Sequence, residues 1–143
     1  LLQKFPAPSF TVITKMESFI NQDRNKCGLV IMGGEWAFIA MEKENDSLYI
    51  RTYKGTYERC NDATKMTGSI AAITNSCYFH VTVDTTGSCQ FSYSYDNDRF
   101  TDLGDPFTAK RGRWIGAKVG LFCTNPNILE SKGYAIFDWF RVE

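Results

Sequence analysis

Hydrophobic and polar residues alternate along most of this chain, which is the pattern of β-strands with one buried face. In the segment Ser9–Phe19 every second residue is suited to the core side of a strand, beginning with Phe10 and Val12. The residues between them include Thr11 and Lys15, which suit the other side. The segment therefore predicts a long strand that is half buried.

Other segments predict strands by the same alternation or by a short apolar run. They are Gly28–Met32, Trp36–Met41, Leu48–Tyr53, Tyr78–Asp84, Gln90–Tyr95, Phe100–Leu103, Lys118–Cys123 and Tyr134–Val142. Gly33-Gly34 predicts a hairpin turn, and Glu42–Ser47 a polar turn. The weaker stretch Lys54–Asn75 predicts edge strands and loops, and any helices are expected to be short, for example near Asp62–Lys65. This pattern predicts an all-β fold, a two-sheet antiparallel β-sandwich or jelly roll.

Composition narrows the class of protein without identifying a partner. The chain has 143 residues, which suits a single domain over 1–143, and 15% of its residues are aromatic, which favours a packed core. Lysine and arginine number 16 against 16 acidic residues, so no net charge attracts nucleic acid or an anionic membrane. No apolar run approaches the roughly 20 residues that a membrane span needs. The chain begins with Leu1 in an extended lead-in, which indicates a piece of a longer polypeptide.

The five cysteines are scattered and include no Cys-x-x-Cys pair, so a zinc site is poorly supported. Cys27, Cys77, Cys89 and Cys123 lie in apolar or alternating segments. We expect these four to be free thiols that act as small core residues.

Five motifs in order along the chain resemble one domain family. They are Leu2–Pro8, Cys27–Gly33, Phe91–Asp96, Arg113–Phe122 and Gly133–Val142. Together they are similar to the C-terminal domain of glycoside hydrolase family 43 enzymes, which are β-xylosidases and α-L-arabinofuranosidases. The resemblance implies a concanavalin A-like β-sandwich. It also implies a partner in the same chain, an N-terminal five-bladed propeller that carries the catalytic carboxylates.

The resemblance leaves two functions open. In the first, the domain is a non-catalytic accessory module that packs on the propeller and shapes its active-site entrance during hemicellulose degradation. In the second, it is an autonomous carbohydrate-binding module for xylan or arabinoxylan oligosaccharides. A periplasmic or secreted parent is favoured over a cytoplasmic one.

A third possibility, an independent glycosidase, requires a pair of suitably spaced carboxyl groups. The one close carboxylate spacing that suggests such a catalytic pair is Glu42-x-Glu44-x-Asp46, where alternate residues of a strand would share a face. These acids lie in a turn-like segment with Lys43, so we expect a solvated hairpin tip and assign no catalytic residue.

Two further acidic positions invite a metal ion. Asp96-Asn97-Asp98 could bind calcium. The longer pattern Ser94-x-Asp96-x-Asp98-x-x-Thr101 fits better a hairpin in which the Asp96 side chain accepts hydrogen bonds from turn amides. Calcium elsewhere in the sandwich is possible as a cofactor, and Asp138 is then the most suggestive ligand. No other cofactor is indicated.

Aromatic residues supply the candidate carbohydrate-binding site, because sugar faces stack on exposed rings. Trp36 follows the Gly33-Gly34 turn, and Tyr49, Arg51 and Tyr53 share one strand face, so these four are the predicted sugar contacts. The alternative is that they pack within the sandwich or against the propeller. Trp114 and Trp139 are expected to be buried, and His80 to be structural.

Overall fold

The computed structural model describes residues 1–57, 62–112, 116–126 and 133–143, and strands make up nearly all of its regular structure. Within these ranges we number the strands in chain order: β1 Leu2–Lys4, β2 Phe10–Phe19, β3 Lys26–Met32, β4 Glu35–Glu44, β5 Ser47–Tyr57, β6 Asp62–Ala71, β7 Ser76–Val83, β8 Ser88–Ser94, β9 Thr101–Asp102, β10 Phe107–Thr108, β11 Lys118–Thr124 and β12 Tyr134–Val142. No helix long and apolar enough to cross a membrane occurs in this part of the chain.

The strands form two antiparallel sheets. The first sheet has the order β1-β11-β3-β4-β5-β6, and the second has the order β10-β8-β7-β2-β12, with β9 paired to β8. Neighbours in each sheet are antiparallel throughout the described pairings. The prediction of an all-β, two-sheet antiparallel β-sandwich is confirmed.

The core lies between the sheets and is built from alternate residues of each strand. In β2 the buried positions are every second residue from Phe10 to Ser18, as the sequence pattern predicts. Phe79 on β7 and Ile39 on β4 are fully buried and come from opposite sheets. A large aromatic or branched side chain that leaves water in this way stabilises the fold by about 1.5–3 kcal/mol.

Hairpin turns follow the predicted positions with one change of length. Gly33 and Gly34 connect β3 to β4, and the carbonyl of Lys110 lies so close to Gly33 that a side chain there would overlap it. The polar turn predicted over Glu42–Ser47 is shorter, because β4 continues through Glu44. Only Asn45 and Asp46 form the turn, both with positive φ (48° and 62°), which is the backbone of a tight two-residue hairpin.

The helix expected near Asp62–Lys65 is wrong. This segment belongs to β6, which pairs with β5 from Tyr49↔Ala71 to Tyr57↔Asp62. Because a short segment has little helix stability by itself, pairing along a whole strand decides its conformation. The lead-in at Leu2–Lys4 is likewise a strand, paired with β11.

The cysteine expectation is half correct. Cys77 and Cys89 are free and buried, and burial raises the pKa of the Cys89 thiol to about 12. Cys27 and Cys123, expected as free thiols, form a disulfide instead. They lie directly opposite each other on β3 and β11, although 96 residues separate them in sequence. Strand order, which the sequence pattern does not reveal, brings them together.

The hairpin after β8 has the predicted structure. Asp96 Oδ1 accepts hydrogen bonds from the backbone amides of Arg99 (2.9 Å) and Asp98 (3.0 Å), and the Ser94 hydroxyl donates to it at 2.8 Å. These donors hold the pKa of the Asp96 carboxyl well below its ordinary range. Asn97 occupies the left-handed region with φ 61°. The carboxylate therefore organises this turn in its charged form.

Replacing Asp96 with alanine is expected to destabilise the chain in a pH-dependent way. The folded-state pKa is depressed, so the charge contributes stability above the unfolded-state pKa of about 3.9. That contribution is lost as pH falls through this value towards the folded-state pKa. Urea unfolding should therefore show a lower midpoint for Asp96→Ala at pH 7, and a smaller difference at pH 3. Asp98→Asn is the control, and an equal loss in both variants would contradict the role of Asp96.

Candidate functional site

The four predicted sugar contacts lie on one surface, the side of the first sheet that faces away from the core. We call it the outer face. Trp36 is on β4, and Tyr49, Arg51 and Tyr53 occupy alternate positions of the adjacent β5. The residues between them, such as Ile50 and Thr52, point into the core and are fully buried or nearly so. The structure thus places all four on the same side of the sheet.

One half of the outer face is aromatic. The rings of Trp36 and Tyr57 meet edge to face at 4.6 Å, Phe38 stacks on Tyr53 at 4.9 Å, and Phe122 meets Phe38 edge to face at 5.0 Å. The Trp36 indole lies over Gly55, where any side chain would overlap it. Glycine is therefore the residue that lets this ring lie flat on β5.

The aromatic half contains an open groove of about 500 Å³. Most of its lining side chains are apolar or aromatic: Val30, Met32, Trp36, Phe38, Tyr57 and Phe122, with Lys26, Thr64 and Thr124 as the polar members. Tyr57 is 60% exposed and Met32 36%. Contiguous apolar surface of this kind marks interaction sites on folded proteins.

The other half of the outer face is a charged network centred on Arg51, which is only 8% exposed. Its guanidinium donates to Glu44 Oε2 at 2.5 Å and to Ser69 Oγ at 3.1 Å, and lies 3.4 Å from Glu42 Oε2. Lys26 Nζ lies 3.2 Å from the second oxygen of Glu42. Arg51 also covers the Tyr49 ring at 4.4 Å. Charges buried this far remain stable because each has a partner.

The pairing changes the acid–base properties of the network. The hydrogen bond from Arg51 and its positive charge lower the pKa of Glu44. Burial raises the pKa of the Tyr53 hydroxyl, which donates to Glu42, and that hydrogen bond raises it further. Glu42 and Glu44 are therefore engaged in ion pairs, and the lowered pKa of Glu44 is the opposite of what a general acid requires. The expectation of a solvated tip is correct for Asp46, which is 97% exposed, and wrong for the buried Glu42.

Comparison with known proteins identifies the fold and its relatives. A family model described as the β-xylosidase C-terminal concanavalin A-like domain matches residues 1–143. The chain belongs to this family, found in glycoside hydrolase family 43 (GH43) enzymes. The family resemblance drawn from the motifs is confirmed.

Individual relatives agree with this assignment. A β-xylosidase of Formosa agariphila is 38% identical over 53 residues, which are 37% of this chain and 9% of that protein. A bifunctional GH43-CE protein of Bacteroides eggerthii superimposes with a TM-score of 0.86 at 20% identity, covering 99% of this chain and 18% of the other. A GH43 protein of Bacillus licheniformis gives 0.81 at 17% identity, covering 99% and 28%. The chain thus spans less than a third of these solved GH43 proteins.

The outer face of this GH43 C-terminal domain includes residues that the sequence reasoning did not select. These residues are Phe38, Tyr57 and Phe122, whose rings line the apolar groove. Phe38 lies one alternation step beyond Trp36 on β4, and Tyr57 lies two steps beyond Tyr53 on β5, so extending the alternation could have found both. Phe122 could not, because its place beside Phe38 depends on β11 lying next to β3.

The candidate metal ligand lies on the other sheet of the domain. Asp138 is exposed on β12, and its carboxylate is 3.7 Å from Lys15 Nζ. Within the described ranges no three histidine, cysteine or acidic side chains are grouped so that they could hold a metal ion. Calcium binding by Asp138 stays a prediction.

Trp139, which was expected in the core, is instead half buried on the outside of the second sheet. A bulge between Phe137 and Trp139 shifts the register, so that Trp139 pairs with Lys15 and contacts Tyr78 and Arg141. Without the bulge, Phe137 and Trp139 would face the same side. Trp114 lies outside the described residues. His80 is hydrogen-bonded to Ser92 at 2.9 Å, and burial lowers its pKa.

Proposed function

We propose that this chain is a non-catalytic accessory domain of a GH43 glycoside hydrolase of the β-xylosidase or α-L-arabinofuranosidase type. In this proposal the outer face of the first sheet packs on the catalytic propeller of the same protein and helps to shape the active-site entrance. The parent enzyme would act on hemicellulose, as the name of the Formosa agariphila relative suggests.

The observation that carries the proposal is the apolar groove on the outer face. Its rings pack against one another, and the charged groups beside it are already paired within the domain. Few polar groups are therefore left to hydrogen-bond sugar hydroxyls, whereas a protein surface with apolar side chains could fill the groove. This favours docking to a domain over binding of a glycan.

The alternative is an autonomous carbohydrate-binding module for xylan or arabinoxylan. The exposed Tyr57 ring beside Trp36 supports it, because an uncovered ring can stack on a sugar face. Calorimetric titration of the chain with xylohexaose separates the two functions. The absence of detectable binding would eliminate the binding module, whereas binding that Tyr57→Ala abolishes would favour it.

The Cys27–Cys123 disulfide supports a periplasmic or secreted location for the parent protein. Disulfides persist in oxidising compartments, whereas cytoplasmic thiols are generally kept reduced.

A charge placed in the groove tests the docking proposal in the full-length enzyme. Met32→Asp should lower the temperature at which the enzyme loses its glycosidase activity, because an unpaired carboxylate would be buried at the interface. We expect the rate of heat inactivation to rise at least about tenfold, corresponding to about 1.4 kcal/mol in the activation barrier. Calorimetry of the isolated chain should change little, since Met32 is 36% exposed there.

Ile136→Asp is the matched control, because Ile136 is 50% exposed on the second sheet, away from the groove. Equal effects of the two substitutions on the full-length enzyme, or none from Met32→Asp, would refute docking through the outer face.

A further inference from the structure

A second pocket of about 500 Å³ lies at one end of the sandwich, where β5 and β6 of the first sheet approach β10 of the second. It is separate from the aromatic groove. Its lining residues are Glu35, Lys54, Gly55, Thr56, Lys65, Pro106, Phe107, Thr108 and Lys110. Pockets of this size hold small organic ligands in many proteins.

Two lysines that line this pocket have no carboxylate partner among the side chains that the structure describes. Lys54 on β5 and Lys65 on β6 are directly opposite each other in the register. Lys54 alternates with Tyr53, so it lies on the core side of the sheet and not on the outer face. Neither lysine forms an ion pair with any residue in the described part of the chain. Like charges directly opposite on paired strands destabilise a sheet, so an anion between them would be stabilising.

A third lysine adds to the pocket but is already neutralised. Lys110 Nζ lies 2.5 Å from Glu35 Oε1. The described lining therefore holds three lysines and one glutamate, an excess of two positive charges. The chain as a whole has no net charge, so this positive potential is local to the pocket.

We propose that this pocket binds the carboxylate of an acidic sugar, a hexuronic acid residue. The ammonium groups of Lys54 and Lys65 would pair with the carboxylate, and the hydroxyls of Thr56 and Thr108 would hydrogen-bond the ring hydroxyls. The volume exceeds what a small inorganic anion fills. The choice of a sugar acid over another carboxylate ligand rests on the proposed function. The positive charge and the shape of the pocket are observed independently of that function.

Titration of the ¹⁵N-labelled chain with sodium glucuronate, followed by NMR, tests this inference. We expect saturable shifts at Thr56 and Thr108 and weaker binding at higher ionic strength. The double variant Lys54→Gln/Lys65→Gln should bind glucuronate about tenfold more weakly. Removing two opposed like charges leaves the fold intact, so circular dichroism should be unchanged. Lys15→Gln/Lys118→Gln, which removes the same charge elsewhere, is the control and should bind as the wild type does.

Acetate, phosphate, xylose and a triglutamate peptide serve as competitors. Weaker binding of all four than of glucuronate supports the proposal. If acetate or phosphate binds as tightly as glucuronate or more tightly, the pocket is a general anion site. If triglutamate binds more tightly than glucuronate, it is a peptide site. Either result overturns the proposal of a hexuronic acid site. The absence of any binding also overturns the proposal. Lys65 would then be an inward-pointing charge that prevents the edge strand β6 from pairing with another chain. None of these results bears on docking through the outer face, which Met32→Asp tests separately.

Discussion

Replacing Cys27 and Cys123 together with serine is expected to lower the free energy of unfolding by about 2–5 kcal/mol. The disulfide joins β3 to β11 across 96 residues of sequence, so it removes much of the conformational freedom of the unfolded chain. Cys27 is also almost completely buried, at 2% exposure, so its replacement by a polar hydroxyl adds a desolvation cost. This is a large share of the stability of a domain of ordinary size.

Urea denaturation with and without dithiothreitol measures the effect. Reductant should destabilise the wild-type domain and leave the double serine variant unchanged. Cys89→Ala is the control, because this buried thiol is not part of the disulfide and its loss should not alter the response to reductant. A wild-type midpoint that reductant does not move would show that the disulfide contributes nothing to stability.

Replacing Arg51 with alanine is expected to cost about 3 kcal/mol of folding free energy. The substitution removes the cation between Glu42 and Glu44 and leaves the carboxylate of Glu42 buried at 5% exposure. Lys26 still pairs with Glu42 at 3.2 Å, which places the expected cost at the low end for a broken buried pair. Lysine at position 51 should recover little of the loss, because it lacks the planar fork that reaches two carboxylates.

A double-mutant cycle with Glu42→Gln and Arg51→Met isolates the pairing from the packing. We expect the combined variant to be more stable than the sum of the single losses implies, since no buried charge is left alone. The pH dependence provides a second readout. Arg51 lowers the pKa of Glu44, so its contribution is present above the ordinary glutamate pKa and is lost as pH falls through the folded-state pKa. Additive losses, or an unchanged acid profile in Arg51→Ala, would contradict the coupling.

The strands of this domain follow directly from local sequence. Alternation in Ser9–Phe19 predicts the buried face of β2 residue by residue, because successive side chains of a strand point to opposite sides. Gly33-Gly34 predicts the β3–β4 turn for an equally local reason. The motif resemblance to GH43 C-terminal domains predicts the overall architecture, which the family match confirms.

Pairings between strands that are distant in the chain cannot be predicted from local sequence. The Cys27–Cys123 disulfide and the Phe38–Phe122 contact both require β11 to lie beside β3, and nothing in either segment indicates that order. The Asp138 bulge is a single extra residue, yet it moves Trp139 from the core side to the outside of the second sheet.

The sequence by itself therefore determined most of the strands, the buried face of regular strands such as β2, and the family, since each depends on residues near one another in the chain. Tertiary structure alone decided which surfaces those strands create. The outer face combines Trp36 and Arg51 with partners from β3, β6 and β11. The second pocket, at the end of the sandwich, combines Lys54 and Lys65 with β10 of the opposite sheet. Both sites arise where segments far apart in sequence meet, because long-range packing sets their burial, their ion pairs and their uncompensated charge.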